Sequence, residues 1–312
     1  MRLSDRLVRT VLNELTERFS KLRVDTIRAQ GSPDKTTFII EARDPQRIRK
    51  RLPIELRIGS KKRPLALNIR VVKSRGNRFL VSRTKPPRRA TIPELGGDAI
   101  WHRRLNGWGT CGFVAYKIEL TALYGVRCGG TNVAISNNHV LALWDRARVG
   151  DPVDVEGLQG FASLTCWMPV RTGAQPTDLA LAQVADTANI RYGEIRGIGQ
   201  LTGIGNGFRG QAIKKSGART GVTTRLVEGT ANVRVNGVMF WNVWSVQPGF
   251  ALPGDSGSAA LDARNRVMGF VFAGTEGAGP QRSYLVPLGT GGNRARRAAG
   301  AGTAMKLRLH PK

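Results

Sequence analysis

From Gly109 onward the chain is broken into short apolar runs separated by Gly, Asn and Asp, and this punctuation limits its fold more than any other feature. The runs are Gly112–Ile118, Gly130–Ile135, Pro152–Val155, Ala162–Val170, Leu179–Val184, Gln211–Ser216, Thr223–Val235, Trp241–Val246, Ser258–Leu261, Val267–Ala273 and Ser283–Pro287. About a dozen short strands over roughly 190 residues suit a β-barrel or a pair of barrels. The 312 residues allow one large domain or two ordinary ones, and 38 glycines fit a turn-rich, mainly β protein.

The first hundred residues read differently. Leu3, Leu7, Val8, Val11, Leu12, Leu15, Phe19 and Leu22 recur at three- and four-residue spacings, which is one apolar face of a helix. Ser4 is positioned to cap it. Val24–Ala29 and Thr36–Ala42 read as strands, and Asp44-Pro45 opens a short basic helix running to about Leu52. Ile54–Ile58 and Leu65–Lys73 are two further strands. Residues 1–81 thus form a small basic α+β module without histidine or cysteine, suited to regulation or docking. Residues 82–98, with Pro86-Pro87-Arg88-Arg89 and Pro93, read as a linker. The barrel domain spans 99–290, and 291–312 is a basic tail expected to be mobile, within which Met305–Leu309 has the pattern of a last docked strand.

Net charge is +27 and is concentrated at the ends. Residues 1–100 carry 25 Lys and Arg against 10 Asp and Glu, and residues 291–312 carry six against none. Such a field favours an acidic partner or nucleic acid, and it also simply solubilises. Cys111, Cys128 and Cys166 are an odd, sparse set without CxxC spacing, which argues against a disulfide framework and a zinc site and for a reducing, cytoplasmic setting. No apolar run reaches the length of about 18 residues that a membrane span needs. The N-terminus lacks the apolar core of a secretory signal. No P-loop, acidic metal cluster or RNA-binding aromatic motif is present, so neither cofactor nor metal is expected. No oligomeric interface is legible.

Chemistry concentrates in Pro253-Gly254-Asp255-Ser256-Gly257-Ser258. Such strings are also ordinary turns. Here a serine sits between glycine-bearing corners, and the N–H groups of Gly254 and Ser256 are placed to face one developing oxyanion. A serine needs a base to be a nucleophile. His139 is the candidate base: the apolar run through Ile135 ends in Ser136-Asn137-Asn138 and the imidazole follows, a setting that by itself equally suits a structural histidine. His102 lies among Arg103 and Arg104, and His310 lies in the tail. Asp178 opens the strand Leu179-Ala180-Leu181-Ala182, where a carboxylate is costly to bury without a partner. It suits the group that holds an imidazole in one tautomer.

Taken together, Ile135-Ser136-Asn137-Asn138-His139-Val140-Leu141-Ala142, Lys215-Ser216-Gly217-Ala218-Arg219-Thr220-Gly221, Pro253–Ser258 and Gly269-Phe270-Val271-Phe272-Ala273-Gly274 resemble chymotrypsin-like (trypsin-fold) serine peptidases. Within them the chain is similar to an intracellular bacterial branch related to the plant narrow-leaf trypsin-like protease. The resemblance implies a double six-stranded β-barrel and a His139–Asp178–Ser256 triad acting on protein or peptide substrates. It further implies an oxyanion hole at Gly254 and Ser256 and a specificity pocket at Phe250, Phe272 and Gly274. Relatives that cut after Arg or Lys carry an aspartate where this chain has Phe250, so small or apolar residues are expected before the cut. Many relatives are activated when a trimmed N-terminus pairs with the aspartate before the nucleophile. No Ile-Val-Gly-Gly-type start precedes the barrel here, so Asp255 is expected to pair with an internal cation, or the N-terminal module to gate the site. The first reading is therefore an intracellular serine endopeptidase of restricted substrates. The second, of another class, is a proteolytically silent barrel that binds nucleic acid or acidic proteins.

Overall fold

The computed structural model describes residues 4–31, 36–52, 56–57, 64–65, 67–84, 86, 96–122, 127–170, 177–185, 190–276, 281–289 and 303–310. The N-terminal unit contains α1 (Asp5–Arg18), β1 (Val24–Gln30), β2 (Thr37–Ala42), α2 (Pro45–Arg49), β3 (Leu56–Arg57), β4 (Pro64–Leu65), β5 (Asn68–Lys73) and β6 (Asn77–Phe79). Ser4 caps α1 by accepting the Leu7 N–H, and Asp44 caps α2 with Pro45 in its first turn. The apolar stripe of α1, Val8, Val11, Leu12, Leu15 and Phe19, packs on Ile27, Phe38 and Ile40. Of the strand expected over Ile54–Ile58, only Leu56–Arg57 lies within the described residues.

Then follow β7 (Ala99–His102), β8 (Gly109–Thr110), β9 (Phe113–Ala122), β10 (Arg127–Ser136), α3 (Asn138–Leu141), β11 (Pro152–Val155), β12 (Leu158–Trp167) and β13 (Ala180–Val184). Pairings β7–β11, β11–β12, β12–β13, β13–β10 and β10–β9 are all antiparallel. β8 pairs with β7 and leads into β9, which closes the ring. Short pieces β14 (Glu194–Ile195), β15 (Gly199–Gln200) and β16 (Gly203–Ile204) connect it to a second ring. That ring is β17 (Ala212–Gly217), β18 (Gly221–Val235), β19 (Val238–Val246), β20 (Ala259–Leu261), β21 (Arg266–Thr275) and β22 (Ser283–Gly289). It closes through β17–β18, β18–β19, β19–β22, β22–β21, β21–β20 and β20–β17. The protein is mainly β, with two six-stranded barrels and a small α+β unit: the punctuation pointed to a barrel or a pair of barrels, and the resemblance to the six-stranded pair.

Period-two alternation sorts the side chains. On β13 and the residue before it, Leu179 and Leu181 face a cluster shared with Ala259, Leu261, Val267 and Phe270 of the second ring. Ala180, Ala182 and Val184 face the interior of the first ring, beside Ala134, Val153 and Leu164. Large residues thus join the barrels and small ones fill a narrow barrel.

One finding differs from expectation, and two others concern the tail and the N-terminal unit. Cys128 of β10 and Cys166 of β12 form a disulfide, with Cα atoms 5.6 Å apart. Both strands pair with β13, which brings these cysteines across a gap of 38 residues, and cysteine use no longer speaks for a reducing compartment. In the C-terminal tail a last strand does dock where the pattern over Met305–Leu309 pointed: β23 (Thr303–Arg308) pairs antiparallel with β9 and parallel with β22. Finally, the N-terminal unit is not a separate bead. β1 pairs antiparallel with β18, so the sheet β5–β2–β1 extends the second barrel.

Candidate active site

His139 lies in α3, three residues past the end of β10, and Asp178 stands two residues before β13. Antiparallel pairing of Ser136 with Ala180 therefore places both at the same rim. The polar residues before His139 fix that corner. Ser136 Oγ donates to Thr110 O (2.7 Å), Asn137 Nδ2 to Asp178 O (2.6 Å) and Asn138 Nδ2 to Met168 O (2.9 Å). All three are buried, which explains why an apolar strand ends in residues that carry donors.

The Asp178 carboxylate receives the His139 main-chain N–H at 3.0 Å and the ring Nδ1 at 2.5 Å. A carboxylate can only accept, so Nδ1 carries the proton and Nε2 presents its lone pair. Nε2 is buried and has no hydrogen-bond partner. The Phe79 ring stacks on the imidazole with centroids 4.2 Å apart.

Ser256 comes from the second ring, in the turn between β19 and β20, and is fully buried. Its Oγ donates to Phe272 O at 3.1 Å. The N–H groups of Gly254 and Ser256 both point at one peptide carbonyl, Leu80 O, at 2.5 and 3.4 Å. Gly254 has φ +109°, and a Cβ there would stand 2.5 Å from the Trp108 ring, so conformation and space both require glycine.

The turn is braced from beneath. Asp255 and Lys215 are both wholly buried, and Lys215 Nζ lies 3.1 Å from Asp255 Oδ2. The carboxylate also accepts from Thr220 Oγ1 (2.7 Å) and from the N–H groups of Arg219, Thr220 and Leu252 (3.0–3.1 Å). Asp255 is paired with an internal cation. Thr110 ties the two barrels together here: its Oγ1 donates to Gly254 O and accepts from Ala218 N.

Of the three pocket residues, Phe250 lies in a cluster with Leu80, Val246, Ala251 and Val271. A Cβ on Gly274 would meet Leu80 Cδ2 at 3.1 Å, so Gly274 borders the same space. The Phe272 side chain turns away to Phe240 and Tyr284, and its carbonyl faces the site instead. A β-bulge between Val271 and Ala273 produces this re-aiming. A groove of about 1120 Å³ runs past Val81, Ser82, His139, Trp144, Arg219 and Leu252.

Phe79, Thr110 and Trp108 escaped the sequence reading. Nothing local marks them, because each acts on a group far along the chain: Phe79 on His139, and Trp108 and Thr110 on Gly254. The other chemistry-bearing residues are accounted for structurally. His102 accepts Arg104 N at Nδ1 and donates from Nε2 to Asp151, 3.0 Å away. Burial, aided by the charge of Asp98, pushes the Cys111 thiol well above its ordinary range, so it is no competing nucleophile. Among the described residues no group of three or more His, Cys, Asp or Glu could hold a metal ion, and no helix is long and apolar enough to cross a membrane.

Neither a family model nor a curated protein matches the chain. Solved structures do show likeness. One is Nocardiopsis protease, at 15% identity over 69% of this chain and 98% of that one, with a TM-score of 0.44. Another is Cellulomonas bogoriensis chymotrypsin, at 16% over 70% and 99%, with a TM-score of 0.45. A third is a glutamic-acid-specific serine protease, at 20% over 62% and 92%, with a TM-score of 0.45. These are likenesses only; the barrels rest on the strand pairing and the chemistry on the geometry above.

Proposed function

We propose that this chain is a serine endopeptidase that hydrolyses peptide bonds through an acyl-enzyme on Ser256. The observation that carries the reading is the meeting of Gly254 N and Ser256 N on one peptide carbonyl, beside a His139–Asp178 pair whose free nitrogen lacks a partner. In the reaction Ser256 Oγ leaves Phe272 O, gives its proton to His139 Nε2 and attacks the carbonyl carbon. Gly254 and Ser256 hold the oxyanion, and Asp178 stabilises the imidazolium. His139 then protonates the leaving amine, and water releases the acyl group. The Phe250 pocket favours an apolar residue before the cut, because a buried cation would find no counter-charge there.

The test is labelling by a serine-directed fluorophosphonate. Ser256→Ala should lose the label that wild type takes up. Equal labelling of both would remove Ser256 as nucleophile, and preferential cleavage of a peptide library after Arg would remove the apolar pocket. The narrower kinship with intracellular bacterial relatives, and the restricted substrates it implies, rest on the sequence motifs. The excess of 25 basic over 10 acidic residues in 1–100 favours a binding accessory for nucleic acid or acidic protein. A gel shift that weakens steeply with salt would support it.

A further inference from the structure

The carbonyl held by Gly254 and Ser256 belongs to the chain's own backbone. Asn77, Arg78 and Phe79 of β6 pair antiparallel with Thr275, Gly274 and Ala273 of β21. Leu80 N then donates to Phe272 O at 3.3 Å, while Leu80 O takes both oxyanion donors. Beyond it, Ser82 and Trp108 exchange both backbone hydrogen bonds, at 3.0 and 2.9 Å. The segment is thus an added strand, the way an extended peptide docks on a sheet edge. Its side chains alternate accordingly. Leu80 is wholly buried in the pocket with Phe250, Val246 and Val271, and Phe79 covers His139.

These contacts brace the chain on both sides of a single bond, Leu80–Val81. We infer that this bond is a substrate of the protein's own site, cut within the same molecule; the inference rests on the peptidase reading. Ser256 Oγ bonds to the Leu80 carbonyl carbon as the Leu80–Val81 C–N bond breaks. The proton taken up by His139 passes to the departing Val81 amine. Water then hydrolyses the Leu80 ester, leaving a Leu80 carboxylate, a free Val81 amine and restored Ser256. The occupant also agrees with its pocket, because leucine is the uncharged, apolar residue that Phe250 favours. The N-terminal unit is therefore substrate first. Until its segment leaves, it occupies the β21 edge, the Phe250 pocket and the Gly254 and Ser256 N–H groups that any other peptide must use.

Intact mass and N-terminal sequencing of the full chain test this. Wild type should resolve into residues 1–80 and 81–312, with a new N-terminus at Val81 and a rate unchanged on dilution. Ser256→Ala should stay whole. Leu80→Asp, or Leu80→Gly should the first variant misfold, should stay uncut at this bond and open the groove to a fluorophosphonate. Cleavage at another bond, or cleavage of Ser256→Ala, overturns the inference. Wild type that stays whole while a Leu80 variant is labelled at Ser256 overturns self-cleavage and leaves the peptidase reading standing. Labelling of neither form overturns both.

Discussion

Lys215 lies beneath the Ser256 turn, and that turn depends on it. Its ammonium and the Asp255 carboxylate are both removed from water, and the carboxylate is one residue from Ser256. Taking away one charge leaves the other buried and uncompensated, which costs about 3–5 kcal/mol. Lys215→Met should therefore lower stability in urea by that amount and reduce fluorophosphonate labelling. Adding Asp255→Asn should recover part of the stability, because no lone charge then remains. A single variant as stable as wild type would show that the N–H groups of Arg219, Thr220 and Leu252 suffice for Asp255. At this scale much was legible. A serine between glycines, a histidine ending an apolar strand and an aspartate opening another are each costly in a core without a purpose. Leu80 and Phe79 were not legible, because their environment is made by residues from about 60 to about 190 positions away in sequence, among them His139, Gly254 and Ala273.

Strand β11 enters the first barrel through Asp151. Its carboxylate accepts from Arg148 N at 2.8 Å, His102 Nε2 at 3.0 Å and Arg104 Nη2 at 2.5 Å. Those bonds, the one from Arg148 foremost, hold the carboxyl at about 2, below the usual carboxylate range. The folded value is depressed against an unfolded value of about 3.9. The stabilisation is therefore complete above pH about 4 and is lost as the pH falls towards about 2. Asp151→Asn should lower the melting temperature most above that window, and the gap from wild type should close across it. A gap constant from pH 6 down to the acid limit would mean that the bonds do not depend on the charge. Elements were legible wherever local periodicity and capping set them, as in α1 with Ser4 and α2 with Asp44-Pro45. The Cys128–Cys166 bridge was not, because its geometry exists only once β10 and β12 flank β13. Composition made the cysteines look sparse; topology makes them neighbours.

At the scale of the whole molecule, the N-terminal unit has its own core and meets the second barrel along a strand edge. One buried side chain stitches that edge. Asn232 of β18 donates to Asn13 Oδ1 at 3.1 Å and Thr16 Oγ1 at 2.9 Å on α1, while its own oxygen accepts Asn242 N at 2.8 Å. Truncating it strands buried polar groups on both sides of the joint, a loss of about 1–3 kcal/mol. If the Leu80–Val81 bond is cut, this joint, the β1–β18 and β6–β21 pairings and the burial of Leu80 beside Phe250 keep residues 1–80 in place, with the new Leu80 carboxylate still at the Gly254 and Ser256 N–H groups. Departure of the fragment, rather than the cut itself, then sets when the groove opens. Asn232→Ala in the Ser256→Ala background should unfold at lower urea by the stated amount. In the cleaved protein it should speed separation of residues 1–80 from 81–312 on size exclusion and raise cleavage of an added peptide in parallel. Faster separation with no gain in peptide cleavage would show that the fragment does not gate the site. Unchanged separation would place the hold on the β1–β18 and β6–β21 ladders, and a β-breaking Ile27→Pro should then weaken the first of them.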